Sequence, residues 1–204
     1  MYFYHSKQEH DQIVETEAPK FVQMLEQIID FEKWGFKQTF VGFPLPAPWA
    51  WRVIYDSEWC RVCFSWDIED PREYPVSHVS YGRLHAPSNE ETILWNGKKC
   101  YCWHGIRKAL YFLDGMPWQY VAEHKFEVPT AEQTFRQSRK QNWSQPEWMA
   151  RMHLAFWQQY DKKLFELFDL RHPEIWKKYT EFLEEYHKFT DYPPVRYPSS
   201  YEVC

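Results

Sequence analysis

The residues best suited to bind a metal or act as nucleophiles cluster in mid-chain: Cys60-x-x-Cys63, then Cys100-x-Cys102-x-His104, with His78 and His85 between them. Thiolate and imidazole are ligands that zinc takes readily. In a zinc knuckle, however, Cys-x-x-Cys sits on a tight turn, so that both sulfurs converge on the metal. Here Cys60 and Cys63 lie in an alternating strand pattern with no Gly or Pro between them, which sends them to opposite faces. Cys100, Cys102 and His104 do fall on one face of their strand. With His85 they are the residues on which a metal- or thiol-dependent enzyme would be built. A Cys/His pair drawn from Cys102 and His104 or His85 would stand about 6–7 Å apart along a strand, beyond hydrogen-bond reach, and nothing marks an orienting third group. Buried cysteine behaves as a small hydrophobe. Core packing is therefore the expectation for these thiols, with no metal, no cofactor and no catalytic residue assigned.

Other constellations are weighed the same way. Glu184-x-x-His187 has the spacing used in di-iron bundles, but the preceding helix offers no second Glu-x-x-His, and a solvated helix face accounts for the pair. Tyr81, Arg83 and His85 alternate onto one face of a strand, and Arg61 on a partner strand could join them if the register allows. Such a polar, aromatic-lined face could bind a small anion, a peptide or a base; it could equally be the wet side of an antiparallel sheet. The basic run Arg136-Gln137-Ser138-Arg139-Lys140 adjoins Trp143 and is a minimal nucleic-acid footprint. Against a net charge of −5 it does not make nucleic acid the favoured partner.

The elements that must position these residues follow from the hydrophobic period. Residues 17–34 read as a helix with Thr16 as cap, Pro19 in the first turn and Gly35 at the C-terminal end. Strand patterns follow: 36–43; Trp49, Trp51, Val53 and Tyr55 alternating with Ala50, Arg52, Ile54 and Asp56; 59–66; and 76–85. Asn96-Gly97 between 93–95 and 98–103 is a type I′ hairpin signal. Ile106, Ala109, Leu110 and Leu113 share one face of a short helix that Gly115 ends. Thr130-x-x-Gln133 and Ser144-x-x-Glu147 are capping boxes. A helical stripe then runs Met149, Met152, Phe156, Tyr160, Leu164, Leu167 up to a break at 169–172, after which Pro173 opens a helix with Ile175, Tyr179, Phe182, Tyr186 and Phe189. The fold class expected is α+β: an antiparallel β-meander of five to six strands, preceded and closed by helices, with a C-terminal αα-hairpin. Residues 1–128 would form the sheet domain, 129–192 a helical extension on that domain or on a partner, and 193–204 a Pro-rich tail.

Composition bounds the function. The 204 residues include 12 Trp, 14 Tyr and 15 Phe, large side chains whose polar tips want partners, and only 6 Gly, too few for phosphate-cradling loops to be expected. No run of about 18 apolar residues is present, the first residues lack the basic and apolar stretches of a signal peptide, and 5 Cys is an odd count. A cytoplasmic protein without membrane contact is expected. Trp148 and Trp157 lie beside the main helical stripe and widen its apolar face. A helix apolar nearly all round is buried, either in its own domain or against a partner. The leading expectation is a non-catalytic binding or adaptor protein, with self-association into a homodimer as one form of it, that uses these aromatic-rich helices as its contact surface. A metal- or thiol-dependent enzyme and a nucleic-acid accessory protein are the alternatives.

Overall fold

The computed structural model describes residues 7–42, 50–67, 76–84, 93–95, 98–117, 119 and 145–189, at some of these positions through the backbone alone. Helix α1 spans Lys7–Ile28. It starts earlier and ends sooner than the 17–34 expected. Thr16 is an interior residue whose hydroxyl donates to the Gln12 carbonyl one turn back (2.8 Å), and Pro19 lies inside the helix. After Ile29 a turn of 3-10 helix, Glu32–Trp34, closes on Gly35, whose φ of 80° and N–H bond to the Glu32 carbonyl (2.9 Å) favour a residue without Cβ.

The strands are β1 (Lys37–Gly42), β2 (Ala50–Asp56), β3 (Cys60–Asp67), β4 (Val76–Leu84), β5 (Ile93–Trp95) and β6 (Lys98–Gly105). All the pairings are antiparallel, and the order across the sheet is β1-β2-β3-β4-β6-β5. A strict meander would set β5 beside β4; instead β6 takes that place and β5 lies at the edge. Registers such as Tyr55↔Val62 and Cys60↔Arg83 define two faces. Trp51, Val53, Tyr55, Cys60, Val62, Phe64 and Tyr81 belong to the main core, whereas Ile54 and Cys63 form a separate small cluster with Phe40. The two cysteines do point to opposite faces, and both are buried.

Helix α2 (Ile106–Leu113) packs Ala109 and Leu110 into the main core and stops at Gly115, φ 71°. Helix α3 is Gln145–Tyr160, α4 Lys162–Glu166 and α5 Pro173–Phe189. The single long stripe expected up to Leu167 is thus interrupted at Asp161, which takes φ 49°, ψ −131°. Helix α3 lies against α1 and β4, α4 and α5 against α2. Both helical and strand side chains enter one core cluster. At its centre Trp157 meets Phe31, Trp34 and Phe165 edge-on and Phe36 nearly stacked, with centroids 5.2–5.8 Å apart. No helix among the described residues is long and apolar enough to cross a membrane.

Candidate functional site

The register decides first which of the expected site residues can meet. Tyr81 and Arg83 project to the helix-covered face, but Arg61, opposite Gly82 in β4, projects to the other. Arg61 therefore does not join them. Its Nε and Nη2 donate to the two carboxylate oxygens of Asp56 (2.6 and 2.7 Å), and Thr39 donates to the same carboxylate (2.9 Å). This is a buried, bidentate pair whose fork geometry fixes strand register at the β2–β3 turn.

Tyr81 and Arg83 are not a solvent-facing surface. Tyr81 is fully buried: Trp157 donates Nε1–H to its hydroxyl (2.7 Å), Phe168 stacks on its ring, and His153 Nδ1 lies 3.1 Å from its hydroxyl. Indole N–H can only donate, so the Tyr81 oxygen is the acceptor of the Trp157 bond. Burial raises the Tyr81 hydroxyl above its ordinary range and pushes the His153 imidazole down to about 3. Arg83 is 2% exposed, with its guanidinium 4.2 Å above the Trp176 ring of α5. Trp157, expected on a contact surface, is 0% exposed and serves the core instead. The backbone of Trp148 lies in α3 and those of Cys100, Cys102 and His104 in β6, but their side chains lie outside the described residues, as do His85, the 136–143 segment, the capping box at Thr130 and the tail. A register shift between Gly82 and Leu84, opposite Trp103 and Cys100, interrupts the regular alternation on which the Cys100/Cys102/His104 grouping rested. Among the described residues no cluster of His, Cys, Asp or Glu could hold a metal ion.

An open groove of about 990 Å³ lies elsewhere, between α1 and the edge strand β1. Ala18, Val22, Val41 and Trp51 give it an apolar lining; Glu15 and Glu26 give it negative charge. Trp51 is held by an edge-on contact with Phe21. Glu26 is held by Gln38 Nε2 (3.0 Å) and the Tyr55 hydroxyl (3.2 Å), while burial and the Glu26 charge raise the Tyr55 hydroxyl above its ordinary range. Pro19, also in the lining, has no N–H, so the Glu15 carbonyl lacks the donor that a helix normally supplies. Val41 is 44% exposed, the most exposed large hydrophobic among the described residues.

No protein-family model, curated protein or solved structure matches this chain.

Sequence reasoning missed the groove because it read α1 by its buried stripe and β1 only as a strand. The available signal was Val41, an apolar residue in a short strand that also carries the polar Lys37, Gln38 and Thr39, together with a proline inside an otherwise continuous helical pattern.

Proposed function

We propose that the chain is a non-catalytic binding or adaptor protein. Its partner would be a protein segment, extended and carrying an apolar side chain next to lysine or arginine, seated in the groove between α1 and β1. The observation that carries this reading is the pairing of an apolar lining at Val22 and Val41 with carboxylates at Glu15 and Glu26, beside a strand at the edge of the sheet. Edge strands offer backbone groups for strand addition, and apolar pockets beside them read alternate side chains. The contact surface thus moves from the C-terminal helices, whose aromatic residues such as Trp157 and Phe168 are used internally, to the N-terminal groove.

Selection from a random peptide library on the purified chain, followed by calorimetric titration, tests the proposal. Selected peptides should carry an apolar residue flanked by Lys or Arg. Val41→Glu and Glu15→Lys, both at exposed positions, should each weaken binding about tenfold or more. Peptides without basic residues, or binding untouched by both substitutions, would overturn the site.

A further inference from the structure

The groove between α1 and β1 has an order along its length. Glu15 and Glu26 are eleven residues apart on α1, three turns, so both lie on one side of the helix and about 16 Å from each other. Ala18 and Val22 lie between them on that side, and Val41 and Trp51 face them from the sheet. None of the lining residues is cationic. Lys20 is turned about 120° round α1 from Glu26, and Lys37 shares the other face of β1 with its cross-strand neighbour Asp56. The lining therefore runs acid, apolar, acid. The two acids also differ. Gln38 Nε2 and the Tyr55 hydroxyl both donate to the same oxygen of Glu26, Oε1, at 3.0 and 3.2 Å. A carboxylate oxygen has about two acceptor sites, so Oε1 is filled and Oε2 is left for a ligand. An arginine fork sets one N–H on each oxygen, whereas lysine delivers its charge to a single one.

We propose that the groove selects a dibasic segment of the pattern basic–x–apolar–x–basic, with lysine rather than arginine at the Glu26 end; this rests on the reading of the groove as a site for an extended protein segment. In an extended chain alternate side chains face the same way, and positions four residues apart are about 13 Å from each other. Two flexible basic side chains bridge the remaining few ångströms to the acids, and the apolar side chain midway meets Val22 and Val41.

The test is calorimetric titration of the full chain with short peptides capped at both ends, the parent being Lys-Thr-Val-Thr-Lys between serines. Replacing either lysine of the parent by alanine should weaken binding about threefold or more, as for exposed ion pairs. Arginine should be accepted at one end and weaken binding at the other, and the sensitive end reports the direction in which the segment runs. In Glu26→Gln, a change at an exposed position, that end should accept arginine as well as lysine. Peptides with one lysine that bind as tightly as the parent, or arginine accepted at both ends by the wild type, would overturn the inference while leaving the groove as a segment-binding site. A lysine preference that persists in Glu26→Gln would overturn the assignment to Glu26. Absence of saturable binding by every peptide would overturn this inference and the reading on which it rests.

Discussion

At the scale of single residues, the best-defined polar feature is the Tyr81–His153–Trp157 contact inside the core. It is held by geometry, and it is also the weak point of the core in acid. The His153 imidazole titrates near 3 in the folded chain because burial disfavours its charged form, against about 6.5 in an unfolded one. The unfolded state therefore binds the extra proton first. The contribution of this residue is fully present above about pH 6.5 and is lost progressively as pH falls toward 3, by about 1.4 kcal/mol per pH unit within that window. Urea unfolding between pH 6.5 and 4 should show His153→Gln with a pH slope shallower than wild type by close to one proton. Parallel slopes would mean that His153 is not buried and neutral. The strand alternation legible in the sequence already put Tyr81 on one face with Val62 and Phe64. The partners of its hydroxyl come from α3, 72 and 76 residues later, and no local pattern specifies them.

At the scale of elements, the junction of α3 and α4 stands out. The sequence from Gln158 to Lys163 contains neither Gly nor Pro and continues a helical apolar period, so an uninterrupted helix was the reasonable expectation. The structure breaks it at Asp161, a non-Gly residue at φ 49°, although its N–H still reaches the Trp157 carbonyl (2.8 Å). The break lets Tyr160 bond Asp114 past the end of α2 (2.8 Å) while Leu164 and Phe168 turn into the core. An L-residue in this region is strained by roughly 1–3 kcal/mol, of which glycine avoids most at some cost in unfolded-chain entropy. Asp161→Gly should stabilise the protein by about 1 kcal/mol, and Asp161→Val should destabilise it. Calorimetric melting checks the order; a lower midpoint for the glycine variant would mean that the turn is not held in this geometry.

At the scale of the whole molecule, residues from before position 128 and from the C-terminal helices share one core. Phe31, Phe36 and Tyr81 belong to the first part, yet their ring and hydrogen-bond partners Trp157 and Phe168 belong to the second. Removing α3–α5 would expose these rings together. A chain truncated after residue 144 should therefore show no cooperative thermal transition and no near-ultraviolet circular dichroism of fixed aromatics. A sharp transition in that fragment would establish residues 1–144 as an independent folding unit.

The sequence by itself determined the class of mixed helix and sheet, the faces of β2 and β3 and the separation of Cys60 from Cys63. These follow from periods of two and from turn residues, which are local. Only the tertiary structure decided that the Tyr81/Arg83 face is covered, that Arg61 lies on the other side and that Trp157 packs inward. It also decided that an open groove lies beside α1. A polar residue on a strand looks the same in sequence whether water or a helix lies over it. Burial is settled by which distant elements come to rest there.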